Sequence, residues 1–274
     1  MNVDMQNAYI AGLASGGVVE AVSLREELLA GLPHNQDIVA WFDSREGVTS
    51  TAWKNLINAN DMALFNPTVT SGGDVRVDGT ETSYGLYLRK ADNPATTIYS
   101  AFTRYYILRK APNTGYVGDW QTIVGDEIQS LSRVRATLAA SANGDIWYTR
   151  PDQKLTGTTY DDWHVIAVRY ANSGTSSYGY GYLYADGTKA TASGSSYGPE
   201  GWSSGLYFSR GESWWHEYPK GAIEIRAFLD FDVCHTEEEM LENSAWLKRH
   251  YFGGASISGA LTGFTGSVTE QIGG

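Results

Sequence analysis

Residues Trp163–Ser193 read WHVIAVRYANSGTSSYGYGYLYADGTKATAS, and the way this stretch divides decides the fold. Its two flanks, WHVIAVRYA and YGYGYLYADG, are filled with aromatic and β-branched residues, which suit a pleated, half-buried surface. Between them lies turn chemistry, rich in Ser, Gly and Asn. The second flank ends in Ala185-Asp186-Gly187-Thr188, a hairpin turn of the Asp-Gly kind whose two central residues can both adopt positive φ.

The same punctuation continues on both sides. DIVAWFD, YGLYLRK, TIYSAFTRYYILRK, WQTIVG, VRATLAAS, DIWYTR and GLYFSR follow one another at short intervals, each bounded by Gly, Asn, Asp or Pro. Many short strands joined by turns predict a sandwich or barrel rather than βαβ units. The composition agrees, with 31 Gly, 18 Tyr and 9 Trp in 274 residues.

Helical signals flank the β-region. Ser23-Leu24-Arg25-Glu26 is a capping-box pattern, Leu24, Leu28 and Leu32 recur at helical spacing, and Gly31 reads as a stop. Met5, Tyr9 and Leu13 also step by four before Gly16-Gly17. One or two short helices are expected here, and a helix this short must pack on something. Two openings remain: its own domain or a neighbouring subunit. A second capping box, Thr236 to Glu239, predicts a late helix with Met240, Leu247 and Tyr251 on one face and Gly253-Gly254 as the stop. Trp246 has no place on that face. The expected organisation is a helical leader at 1–36, a β-domain at 37–252 and a Gly/Ser/Thr-rich tail at 253–274.

Charge and composition exclude several function classes. The formal net charge is −11, and no basic cluster offers itself to a phosphate backbone or an anionic membrane surface. No apolar run reaches the ~18–20 residues that span a bilayer. The N-terminus lacks a basic n-region, so no signal peptide is expected. A single cysteine, Cys234, forbids an intrachain disulfide and fits a reducing cytosol.

Trp163, His164, Val165, Ala167, Val168, Leu183, Tyr184, Asp186 and Gly187 together resemble the central hairpin of laminin-G-like, concanavalin A-like lectin-glucanase domains. Val39, Ala40, Trp41, Asp43 and Trp53 to Leu56 match the start of that family's pattern. Gly221, Ile223, Ile225, Arg226 and Thr236 to Glu239 match its end. The resemblance implies an all-β, two-sheet antiparallel jelly-roll sandwich over roughly 37–252. Such domains serve as sugar lectins, receptor-binding modules, glycan hydrolases and virion proteins, and the fold alone does not choose among them. The layout is similar to structural proteins of tailed bacteriophages. That similarity implies a virion protein made in host cytoplasm, which contacts other virion proteins or copies of itself through residues 1–36 and 253–274.

Glycoside hydrolysis needs two carboxylates flanking one bond. Glu224 and the Asp230/Asp232 pair are the nearest candidates, and Asp230 and Asp232, with Phe228, read as an outer, solvated strand face. His34, His164, His216, His235 and His250 show no metal-ligand spacing. His164 reads as structural, and Cys234-His235 as a chance neighbour pair. Calcium is the one cofactor for which loop oxygens, from Asp43, Asp161 and Asp162, are on offer. No catalytic residue is assigned, and the expectation is a protein that is not an enzyme.

The aromatic stretch GESWWHEYPKG, Gly211–Gly221, remains. Trp214 and Trp215 are adjacent, so in extended backbone their rings point to opposite faces. One reading puts one ring in the core and the other at its rim. The other makes a stacking platform of Trp214, Trp215 and His216, joined by Trp202, Tyr178, Tyr180 and Tyr197 from neighbouring loops. Its partner is a cell-surface glycan or a protein, since both favour Trp and Tyr.

Overall fold

The computed structural model describes residues 23–78, 82–88, 101–112, 120–128, 133–141, 145–148, 153–159, 161–172, 179–192, 205–209 and 221–253. Helix α1 is Leu24–Gly31 and helix α2 is Glu237–Phe252. The strands are β1 (Ile38–Asp43), β2 (Ala52–Trp53), β3 (Met62–Phe65), β4 (Thr68–Val69), β5 (Val75–Val77), β6 (Tyr84–Leu88), β7 (Ala101–Lys110), β8 (Trp120–Ile128), β9 (Arg133–Ser141), β10 (Asp145–Tyr148), β11 (Gln153–Thr159), β12 (His164–Asn172), β13 (Gly179–Ala185), β14 (Thr188–Lys189), β15 (Thr191–Ala192), β16 (Gly205–Phe208) and β17 (Ile223–Phe231).

Two antiparallel sheets result, as the strand pattern predicts. One runs β14-β13-β12-β7-β17-β5-β4, with β1 also on β17; the other runs β15-β11-β10-β9-β8-β16-β6-β3-β2. The end strands β14, β4, β15 and β2 are two residues long each, which leaves little edge for another chain to pair with. Strand β17 organises the first sheet. It pairs with β7 along one side and, on the other, with β5 through Ile225 and then with β1 from Ala227. The register shifts between Ile225 and Ala227, so Arg226 is the extra residue of a bulge and its side chain is re-aimed.

The core has two layers. Phe42, Trp53, Tyr87, Tyr106, Phe208 and Phe228 lead the cluster between the sheets. Trp41, Tyr105, Leu229, Phe231, Leu28, Met240, Leu247 and Tyr251 form a second cluster, between the outer face of the β17 sheet and the helices. That sheet is therefore buried on both faces, with alternate residues of β17 assigned to alternate clusters.

Both capping boxes form as the sequence predicts. Helix α1 packs on its own domain: Leu28 and Leu32 are buried, and the backbone of His34 exchanges two 2.9 Å hydrogen bonds with the side-chain amide of Asn243. Residues 1–22 and 254–274, with the expected Met5–Leu13 helix, lie outside the described residues. Gly31 is not the stop but the last helical residue. A Cβ there would lie 2.5 Å from the Trp246 ring, so the glycine lets α1 approach α2. Trp246 thereby finds its place, edge-on to Trp41 at 6.2 Å and stacked on His250 at 4.6 Å.

Asp186 (φ 51°) and Gly187 (φ 84°) make the expected turn. The Asp186 carboxylate accepts the Val165 N–H at 3.0 Å and lies 3.0 Å from His164 Nδ1 and 3.3 Å from Lys248 Nζ. Burial works to raise its pKa, but those hydrogen bonds outweigh it and hold the carboxyl below its ordinary range. His164 is thus a clasp between strand start and turn.

Candidate functional site

The aromatic residues singled out above lie outside the described residues: Trp214, Trp215 and His216 in 210–220, Tyr197 and Trp202 in 193–204, Tyr178 in 173–178. Tyr180 belongs to the backbone of β13, and its side chain is likewise outside what is described. What the structure does place is the base from which the Trp214-Trp215 segment departs. Ser209, at φ 64°, donates its N–H to Ile123 O at 2.7 Å, and Gly221 donates to Thr122 O at 3.3 Å. The Ser209 hydroxyl donates to the Gly221 carbonyl. The two ends of the segment are therefore tied to each other and to adjacent residues of β8. Ser209 and Gly221, which bracket the segment, thus meet at one point of the sandwich, beside the end of β16.

The outer face of the β16-β6-β3 strands leads up to that base. Leu206 and Phe208 point into the core, so Tyr207 points out, opposite Leu86, which stands opposite Ala63. Phe65 and Tyr84 are cross-strand partners on the same face, with rings stacked at 4.3 Å and 18°, and Tyr207 lies 6.0 Å from Tyr84. Phe65 is 39% exposed. This aromatic row was not singled out from the sequence. Its signal was the parity of Tyr84 and Leu86 in YGLYL and of Tyr207 in GLYF, readable only once the inward face is known.

The carboxylates do not converge. Glu224 lies on the helix side of β17, paired with Arg109 at 2.8 Å. Asp230 lies on the opposite side, between the sheets: it is fully buried and 3.3 Å from Arg104, itself 4% exposed. The expected solvated face of Asp230 is thereby corrected; the bulge at Arg226 and the covering helices place Leu229 and Phe231 under α2 and leave Phe228 and Asp230 inside. Asp232 is exposed. Glu224 belongs to a charged lattice in which the guanidiniums of Arg109 and Arg226 lie 4.9 and 4.1 Å from the Trp163 ring centre, and Arg226 grips Asp74 at 2.8 and 3.2 Å. Such stacking and pairing stabilise the sheet's outer surface.

Two of the three carboxylates offered to calcium are engaged elsewhere, and the third, Asp162, is exposed. Asp43 is fully buried, bound by Arg45 at 2.8 and 2.6 Å and by the Tyr251 hydroxyl at 2.6 Å. Asp161 pairs with Lys110 at 2.8 Å. Among the described residues no three His, Cys, Asp or Glu side chains cluster to hold a metal. His235 is buried, its Nδ1 2.9 Å from the Tyr105 hydroxyl, and burial pushes its pKa down to about 4. Burial pushes the half-exposed Cys234 thiol up, away from a reactive thiolate.

No protein-family model matches the chain, and no curated protein matches it. Solved structures do. A sialidase of Trypanosoma rangeli in complex with sialic acid superposes with a TM-score of 0.60 at 11% identity, over 81% of this chain and 34% of that one. The receptor binding domain of botulinum neurotoxin type G superposes with a TM-score of 0.50 at 10% identity, over 76% of this chain and 51% of that one. This chain thus spans about a third of the sialidase and half of the toxin domain. At such identities the likeness is one of fold.

Proposed function

We propose that this chain is a non-enzymatic binding module that takes carbohydrate, or a carbohydrate-bearing receptor, at the end of the sandwich marked by Ser209 and Gly221. One observation carries the reading: the ends of the Trp214-Trp215 segment are bonded together beside an outward row of Phe65, Tyr84 and Tyr207. Sugar rings pack apolar C–H faces on aromatic rings, and tied loop ends reduce the entropy lost on binding. The sialic acid complex and the receptor-binding role named for the two similar structures are in keeping with this. In support of a non-enzymatic reading, Glu224 and Asp230 lie on opposite faces of one strand, and Asp230 is buried beside Arg104 while its expected partner Asp232 is exposed. A glycan array tests the reading: Trp214→Ala and Trp215→Ala should abolish binding while the melting temperature stays near wild type. Full binding by both variants overturns it.

The similarity of layout to bacteriophage structural proteins adds a setting for that module, a virion decoration or fibre component. Residues 23–36 are spent on the module itself, so attachment to the particle would fall to residues 1–22 and 253–274. Copurification with virions that is lost when both segments are deleted supports this setting; a chain absent from purified virions removes it.

A further inference from the structure

The N-terminal end of α2 lies over the outer face of β12, β13 and β14, where two cations gather around one carboxylate. Arg169 of β12 and Lys189 of β14 both sit over Tyr182, with their cationic groups 4.6 and 4.8 Å from its ring centre. Both also neighbour Tyr184, at 6.0 and 5.7 Å. Facing them is Glu237, the first residue of α2, 2.7 Å from Lys189 Nζ and 3.8 Å from Arg169. Two cations share one carboxylate at the positive end of a sixteen-residue helix. Of the other two acids of this turn, Glu239 accepts the Thr236 N–H at 2.8 Å and Glu238 is exposed.

Two buried donors in this cluster are unsatisfied. Tyr184 is fully buried, and its hydroxyl makes no hydrogen bond. The hydroxyl faces Arg169, Glu237 and Lys189, so it is aimed into the cluster; Lys189 and Glu237 come close enough to interact with it, but neither meets it at good hydrogen-bond geometry. Arg169 Nε is likewise unpaired, while another of its nitrogens donates to the His235 carbonyl at 2.9 Å. A buried polar group without a partner calls for a ligand or an ordered water. The cluster is open at its rim, where the Lys189 and Glu237 side chains are 41% and 46% exposed.

We propose that Arg169, Lys189 and the Tyr184 hydroxyl form a binding site for an oxyanion — sulfate, phosphate or the carboxylate of an acidic sugar. Glu237 acts there as a resident competitor that swings outward when the anion enters. The site stands apart from the loop at Ser209 and Gly221 and does not rest on the carbohydrate reading given above.

The test is calorimetric titration of the full chain with sodium sulfate, sodium phosphate and a carboxylated monosaccharide, each at constant ionic strength. Saturable binding of at least one is expected. Lys189→Ala should weaken it about tenfold, the worth of one charge-assisted contact. Glu237→Gln should tighten it, because the competing charge is gone. Tyr184→Phe should weaken binding while the free protein melts no lower than wild type, since the lost hydroxyl had no partner. Tighter binding of the sugar than of the inorganic ions identifies an acidic glycan as the source; the reverse identifies a free anion. Absence of saturable binding by the wild type, or a Glu237→Gln variant that binds no more tightly, overturns the proposal.

Discussion

His235 sits where the strap that follows α1, the end of β17 and the start of α2 meet, and its burial makes a specific demand on pH. Its ring packs 4.6 Å from Phe231 and 6.5 Å from His34, its backbone N–H donates to Thr103 Oγ1 at 2.8 Å, and its Nδ1 meets the Tyr105 hydroxyl at 2.9 Å. Desolvation is the largest influence, pushing the pKa from 6.5 down to about 4; Glu239 and Asp37 oppose it weakly, and His34 adds to it. The folded chain therefore holds this imidazole neutral in a range where the unfolded chain protonates it. Between those two values the unfolded state binds more protons, so stability rises with pH. The contribution is intact above pH 6.5 and is lost as pH falls towards 4. The full difference amounts to roughly 3 kcal/mol, of which about 2 kcal/mol is gone by pH 5. Urea unfolding at pH 7.5 and pH 5.0 measures it, with His235→Phe as the comparison. The variant keeps a ring against Phe231 and removes the titration. It also takes one partner from the Tyr105 hydroxyl, which keeps Asn243, a loss of about 1 kcal/mol. That loss is the same at both pH values, because burial holds the Tyr105 hydroxyl protonated far above this range. The wild type should lose about 2 kcal/mol more than the variant on acidification. Equal losses in the two proteins would falsify the claim that His235 is held neutral.

Gly31→Ala should lower the melting temperature: alanine favours a helix by about 1 kcal/mol, but the added methyl meets the Trp246 ring at 2.5 Å, and overpacking costs about 1–3 kcal/mol. A Trp246→Leu background should turn the same change neutral or stabilising, and differential scanning calorimetry of the four proteins reads the coupling. Asp230→Ala leaves the Arg104 guanidinium buried beside an empty position and should cost about 3–5 kcal/mol in chemical denaturation. A loss below about 1 kcal/mol would show that Arg104 reaches water when its partner goes.

Most of the fold could be read from the sequence where one face of an element meets water and the other does not. The hairpin turn at Asp186-Gly187, both capping boxes and the long strands were visible because each has a local chemical signature. The short strands β2, β3, β4, β5, β14 and β15 were not, since two to four residues carry little or no period, and β11 (QKLTGTT) escaped because its polar residues show no apolar alternation. Strand β17 misled for a deeper reason. Alternation predicts one buried and one solvated face, and that inference fails when helices cover the outer side. Leu229 and Phe231 lie in one apolar layer and Phe228 in another, so no face of the strand is left to identify by its polarity. The buried Asp230 then reads as surface when it is half of an internal ion pair. Gly31 and Trp246 make the same point at a single contact. Gly31 read as a stop and Trp246 had no place on its helix, and each is explained by the other across 215 residues of chain, 246 minus 31. The candidate sites divide along this line. Aromatic residues in Gly-rich loops announce themselves by type, whereas the Arg169–Lys189–Tyr184 cluster consists of ordinary strand residues. It acquires its character only when the N-terminus of α2, fixed by the Thr236 cap, is laid across three strands.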